Sequence, residues 1–234
     1  MIEEALIENK GKLLFDIGAN RGDATWAGLN KGFNKVVALE PAPKTFNELV
    51  SNYKNDSRVV TLQLAASNSV GAEVEFYDCV EDGLSTLSKS WLTDGKYGGK
   101  EYETITAKTI TIDKLVEEYG VPDLIKIDVE GAETLVFQGM TKYSGMIAFE
   151  WTDITLDQHA QQIKYLSTLG YTEYAIQFIT HHLEEPTNWL PINSIGWSNY
   201  LDKQIKLLGK DWEDEGWKVA GLRPTADVGM LWVR

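Results

Sequence analysis

The chain has 234 residues, with 22 Lys and Arg against 35 Asp and Glu, so its formal net charge is −13 at pH 7. No run of five basic residues is present to neutralise a phosphate backbone, and no stretch of 18 apolar residues exists, so neither nucleic acid nor membrane is an expected partner. The opening segment Met1-Ile2-Glu3-Glu4-Ala5-Leu6 lacks the basic and apolar regions of a secretory leader, and the lone Cys79 has no disulfide partner within the chain. A cytoplasmic protein with one domain over residues 1–234 is the expectation.

A short apolar run over 12–16, closed by Asp16, predicts a buried strand that enters a helix over 23–30 through Ile17-Gly18-Ala19-Asn20-Arg21-Gly22. The pattern repeats with a strand over 35–40 and, after Pro41 and Pro43, a helix over 44–54. A third strand is predicted over 59–65, and a β-strand leaving the core over 74–77. The stretch 81–99 is rich in Gly, Ser, Lys and Asp and is expected to be a mobile loop, serving as a lid over an acceptor.

Further on, an amphipathic helix over 112–119 stops at Gly120 and Pro122, and a fourth strand follows over 124–128. A helix over 132–140, a fifth strand over 146–150, a helix over 157–169 and a closing strand over 228–233 complete the pattern. Strands alternating with helices at this spacing predict a doubly wound, mostly parallel sheet with ligands beyond the carboxyl ends of its strands. Asp16, Glu40, Asp128 and Glu150 all fall at that edge, as does Ala65. Residues 180–220 belong to a Trp-rich tail, with Trp189, Trp197, Trp212, Trp217 and Trp232 after residue 180, and are expected to form an acceptor or lid region.

The first turn reads Asp16-x-Gly18-x-x-x-Gly22, and Asn20 stands where a dinucleotide fingerprint needs glycine. A carboxylate beside the turn would repel a pyrophosphate but suit a ligand carrying an ammonium and a sulfonium, which describes S-adenosylmethionine. Glu40 ends the second strand at the position that accepts hydrogen bonds from ribose hydroxyls. Gly18 is expected to allow close approach of the ligand, so Gly18→Val should abolish binding without unfolding the chain.

The strings Phe15-Asp16-Ile17-Gly18-Ala19-Asn20-Arg21-Gly22, Ala38-Leu39-Glu40-Pro41-Ala42-Pro43, Ile112-Asp113-Lys114-Leu115 and Leu124-Ile125-Lys126-Ile127-Asp128-Val129-Glu130-Gly131-Ala132-Glu133 together resemble the FkbM family of S-adenosylmethionine-dependent methyltransferases. The resemblance covers about residues 12 to 151. It implies a Rossmann-like class I methyltransferase fold, with a seven-stranded sheet and an antiparallel C-terminal strand, and O-methylation of a sugar or natural-product hydroxyl. The expected cofactor-binding set is Asp16, Gly18, Ala19, Asn20, Gly22, Glu40, Pro41, Ala65 and Asp128.

Activation of an acceptor hydroxyl needs a base or a metal, and Asp128, Glu130 and Glu150 are the expected catalytic acids, with Asp128 the first choice. Carboxylates suit a hard divalent ion, but no metal ligand is assigned. The alternative readings are structural: Asp16 as a charge at a helix N-terminus, and Asp128 and Glu130 as capping and first-turn acids. His181 and His182 sit in a polar segment, and one of them is a reserve candidate for the base. An NAD-type Rossmann oxidoreductase and a cofactor-binding protein without turnover are the other function classes.

Overall fold

The computed structural model describes residues 11–81, 83–94, 98–152, 156–177, 183, 185–187, 189–192 and 228–234. Its strands are β1 (Lys12–Ile17), β2 (Phe33–Leu39), β3 (Val59–Leu62), β4 (Ala65–Ala66), β5 (Glu73–Cys79), β6 (Tyr102–Ile110), β7 (Leu124–Ile127), β8 (Met146–Thr152), β9 (Glu173–Gln177), β10 (Leu190–Pro191) and β11 (Val228–Val233). Its helices are α1 (Asp23–Asn30), α2 (Pro43–Tyr53), α3 (Lys89–Thr93), α4 (Ile112–Tyr119), α5 (Glu133–Gln138) and α6 (Leu156–Thr168).

Near-continuous apolar runs make β1 and β7 central: β1 is buried at every position after Lys12, and β7 at all four. The main sheet has the order β10-β9-β11-β8-β7-β1-β2-β3. Strands β3, β2, β1, β7 and β8 run parallel, and β11 runs antiparallel between β8 and β9. Six of these strands, β1, β2, β3, β7, β8 and β11, answer the sequence expectation, and β9 and the two-residue β10 extend the sheet at its outer edge.

Side-chain alternation sends the two faces of the sheet to different helices. Phe15, Ile17, Ile125, Ile127 and Phe149 pack with Leu115 of α4, Phe137 of α5 and Leu166 of α6. Leu14, Val36, Leu124 and Trp232 pack on the other side with Ala27 of α1 and Leu49 of α2. Local signals set the helix ends. Pro43 begins α2, and Thr111 caps α4 by accepting a hydrogen bond from Lys114 N at 3.1 Å.

Three features depart from the sequence expectation. The predicted third strand divides: Val59–Leu62 stays in the main sheet, whereas Ala65–Ala66 turns away and pairs in parallel with β6. Strands β6 and β9 were not anticipated, and β6 pairs antiparallel with β5 along its length to form a second, three-stranded sheet. The segment 81–99 is not simply a loop, because it contains α3 and a bridge between Thr86 and Tyr77.

Candidate active site

Register puts four residues side by side in one layer of the main sheet: Ala38 beside Asp16, Asp16 beside Lys126, and Lys126 beside Ala148. Two residues further along each strand come Glu40, Gly18, Asp128 and Glu150, which therefore project from the same face at the carboxyl edge. These four border a cavity of about 400 Å³, within the roughly 300–1,000 Å³ usual for small-molecule sites. Ala19, Asn20, Pro41, Ala65 and Glu130 line it too.

Two expected residues do not line the cavity. Asp16 is fully buried beneath it, where Oδ2 accepts a hydrogen bond from Thr25 Oγ1 at 2.7 Å and Oδ1 lies 3.5 Å from Lys126 Nζ. A mid-strand acid belongs to the sheet interior, one layer short of the edge. Gly22 also lies behind the wall. Its φ is +99°, a Cβ there would meet the Tyr53 ring at 2.3 Å, and its carbonyl accepts a hydrogen bond from Tyr53 Oη at 2.6 Å. This glycine serves the packing of α1 against α2.

Gly18 borders the cavity for a reason other than the one expected. With φ at +72°, its missing Cβ would point at the backbone oxygen of Asp128, 1.8 Å away. The glycine is thus demanded by the neighbouring strand, and Gly18→Val cannot be a clean binding variant.

Glu40 is buried at the cavity wall, and its two carboxyl oxygens accept from Asn20 N at 3.0 Å and Ala42 N at 2.9 Å. Burial pushes its pKa up to about 7 against the opposing pull of those amides. Each oxygen keeps a further lone pair for a ligand. Asn20, at φ 49°, and Glu130, at φ 54°, are the non-glycine residues with positive φ among the described residues. Both line the cavity, one in the turn after β1 and one in the turn after β7.

One carboxyl oxygen from each of Asp128, Glu130 and Glu150 falls within 4.8 Å of the other two. Burial first, then the charge of Asp128, raises the pKa values of Glu130 and Glu150 well above the ordinary carboxylate value. Lys126 Nζ lies 3.6 Å from Asp128 Oδ2, while Asp128 Oδ1 is buried without a hydrogen-bond partner. The three acids therefore differ in kind: burial raises the pKa values of two, and the third faces a cation.

Sequence reasoning passes over one feature of the site. Lys126 lines the cavity from mid-strand, and its signal is a lone charge inside the apolar run Leu124-Ile125-Lys126-Ile127. The β5–β6 connection, expected as a lid, contributes Gly83, Leu84, Ser85 and Leu87 to the cavity lining. It is pinned to the turn after β7, where Thr86 Oγ1 donates to Glu130 O at 2.7 Å and Trp91 Nε1 donates to Glu130 Oε2 at 3.0 Å.

Residues 16–173, which carry this entire edge, match the family model described as the Methyltransferase FkbM domain. The chain belongs to the FkbM methyltransferase family. Among curated proteins, this FkbM chain is 32% identical over 157 residues to the hexuronic acid methyltransferase AglP of Haloferax volcanii. The match takes in 66% of this chain and 59% of that relative. Solved structures are more distant. Aeropyrum pernix fibrillarin with natively bound S-adenosyl-L-methionine is 10% identical with a TM-score of 0.45, covering 96% of this chain and 66% of that one. A Thermotoga maritima S-adenosylmethionine-dependent O-methyltransferase is 13% identical with a TM-score of 0.42, covering 100% and 63%.

His159, Trp189 and Trp232 do not line the cavity. His159 is buried in α6, where Nε2 accepts from Thr152 N at 3.2 Å and Nδ1 lies 2.8 Å from Gln162 Oε1. Burial pushes its pKa down to about 4, so it is a neutral packing residue of this FkbM domain. Trp232 is in the core, and Trp189 lies under the Arg234 guanidinium. His181, His182, Trp197, Trp212 and Trp217 lie outside the described residues. No helix among the described residues is long and apolar enough to cross a membrane.

Proposed function

We propose that the protein transfers a methyl group from S-adenosylmethionine to a hydroxyl of a sugar acceptor, with Asp128 as general base. The observation that carries this reading is one cavity bordered by Glu40, Gly18, Asp128 and Glu150, which share a layer at the carboxyl side of four adjacent parallel strands. When bound, S-adenosylmethionine supplies an electrophilic methyl group on a sulfonium.

The residues present suit that molecule. Glu40 offers two carboxyl oxygens to a ribose diol, with Asn20 and Pro41 beside it, and Ala65 gives an apolar surface for a base. Asp128 provides a carboxylate on the other side of the Gly18 turn, with one buried oxygen that lacks a hydrogen-bond partner. The dinucleotide alternative falls with the family assignment.

An alcohol attacks poorly while it keeps its proton, and a positioned base contributes on the order of a hundredfold to ten-thousandfold. Asp128 takes that role because its carboxylate faces the Lys126 ammonium at 3.6 Å, whereas burial and the charge of Asp128 raise the pKa values of Glu130 and Glu150. Clustered acids alone do not make a metal site, so a metal-free base is the simpler reading. The curated relative acts, by its name, on a hexuronic acid, and this makes a hexuronide the first acceptor to try.

The test is calorimetry with S-adenosylmethionine, followed by release of S-adenosylhomocysteine in the presence of p-nitrophenyl β-D-glucuronide and neutral hexosides. Asp128→Asn should keep cofactor affinity within a few fold while turnover falls by about a hundredfold or more. Near-normal turnover in that variant would make Asp128 a structural residue. A wild-type rate lost on treatment with EDTA would replace the base by a metal, and cofactor binding without any methyl product would leave a binding protein.

A further inference from the structure

We infer that Lys126 is a positioning residue that ties the cofactor turn to the acceptor acid, its ammonium holding the Gly18 carbonyl and the Asp128 carboxylate in one arrangement. This rests on the methyl-transfer reading above.

The argument begins with the sheet. A strand with helices on both faces has no structural need for a lysine, and a buried ion pair is generally no more stable than apolar residues of similar size. Yet Lys126 sits in the middle of β7, 5% exposed, between Asp16 of β1 and Ala148 of β8. Alanines at 38 and 148 flank the Asp16–Lys126 pair, so small side chains leave room for the charged layer.

The ammonium makes one good hydrogen bond, to Gly18 O at 2.8 Å. Its two carboxylate neighbours lie further off, Asp16 Oδ1 at 3.5 Å below and Asp128 Oδ2 at 3.6 Å above. Burial opposes its charge, but Asp128 and Asp16 outweigh burial, and the pKa of Lys126 is raised. The cation therefore persists, and its field also reaches Glu40 on β2, Glu130 after β7 and Glu150 on β8.

Its contacts divide into two functional halves. Through Gly18 it fixes the turn that borders the cofactor, and through Asp128 it fixes the proposed base. Asp16 is the counter-ion on the far side from the cavity, anchored in turn by Thr25. This gives Asp16 a function without contact with any ligand: it sets the position of Lys126.

Lys126→Met keeps the length of the chain and removes the charge. If the buried Asp16 left behind prevents folding, Asp16→Asn/Lys126→Met removes both charges together. Either variant, folded by circular dichroism, should bind S-adenosylmethionine about tenfold more weakly by calorimetry. Its kcat with p-nitrophenyl β-D-glucuronide should fall by a further tenfold or so at saturation.

The kcat loss should shrink to less than about twofold when Lys126→Met is introduced into Asp128→Asn, because a residue acting through Asp128 has nothing left to position. A merely structural lysine would give additive losses. Affinity and kcat within about twofold of wild type would overturn the proposal, as would additive losses or failure of both variants to fold. Failure of the methyl-transfer reading looks different, since wild type itself would then form no methyl product.

Discussion

The backbone oxygen of Asp128 fills the space that a side chain on Gly18 would need, at 1.8 Å from an ideal Cβ. Strands β1 and β7 approach so closely at their carboxyl ends that the proposed cofactor turn and the proposed base share one contact surface. Gly18→Ala is therefore expected to destabilise the fold as well as the site. Backbone must move to admit the methyl group, and φ of +72° adds further cost for a non-glycine residue. A thermal midpoint lower by several degrees is the expected result, and an unchanged midpoint would show that β7 can shift freely.

Glu40 offers a pH test. Its pKa of about 7 in the ligand-free protein means that it gains its second acceptor role only as pH rises through neutrality. Affinity for S-adenosylmethionine should rise between about pH 6 and pH 8, and Glu40→Gln should lose that dependence. Glu40→Ala should weaken binding by about tenfold to a hundredfold, the worth of charge-assisted bonds to two hydroxyls. Isothermal titration at three pH values decides both points, and less than a twofold change in Glu40→Ala would remove Glu40 from the ribose site.

Glu133, buried in the first turn of α5, accepts hydrogen bonds from Gly131 N at 3.2 Å and Val129 N at 3.4 Å. Burial raises its pKa from 4.5 to about 7, against those amides. A carboxyl with a raised folded-state pKa lends stability that is complete below pH 4.5 and lost as pH rises through 7. Glu133→Gln removes the titration and keeps an acceptor oxygen. Urea unfolding at pH 8 should find this variant more stable than wild type by up to about 3 kcal/mol, with the difference vanishing near pH 4.5.

Trp91 holds the β5–β6 connection against the site by donating to Glu130 and by laying its ring on Gly131, where a Cβ would meet the ring at 2.5 Å. Trp91→Phe keeps part of the packing and loses the hydrogen bond. Limited proteolysis mapped by mass spectrometry should cut within residues 81–99 faster in this variant, and faster again in Trp91→Ala. Equal cutting in all three proteins would mean that Thr86 alone secures the segment.

Much of this site can be read from sequence because its logic is periodic. Apolar runs closed by acids mark parallel strands and their carboxyl ends together, and this pattern alone sets Glu40, Asp128 and Glu150 at one edge. What the pattern hides is depth. Asp16 and Glu40 both follow apolar runs, yet Asp16 stops within β1 and Glu40 stands one layer beyond, a difference of two residues that composition does not reveal. Strand β6 was missed because its sequence Tyr-Glu-Thr-Ile-Thr-Ala-Lys-Thr-Ile buries little before Ala107, Thr109 and Ile110, leaving weak apolar alternation to find. Lys126 was passed over because a lone charge in an apolar run carries no motif; only its reach to Gly18 and Asp128 gives it meaning.

The antiparallel placement of β11 has a kinetic consequence. Glu150 stands on β8 opposite Met230, so the outer neighbour of the strand that carries this acid comes from residues 228–233, far later in the chain. During synthesis the parallel core from β3 to β8 can collapse first, while the outer edge of β8 waits unpaired. Joining that edge to β11 closes a long loop, a slow step that leaves an apolar strand open to mispairing in the interval. Pulse-labelled hydrogen exchange during refolding should therefore find the amides of Phe149 to Thr152 protected after those of β1 and β7, making the Glu150 side of the cavity the last part of the main sheet to mature.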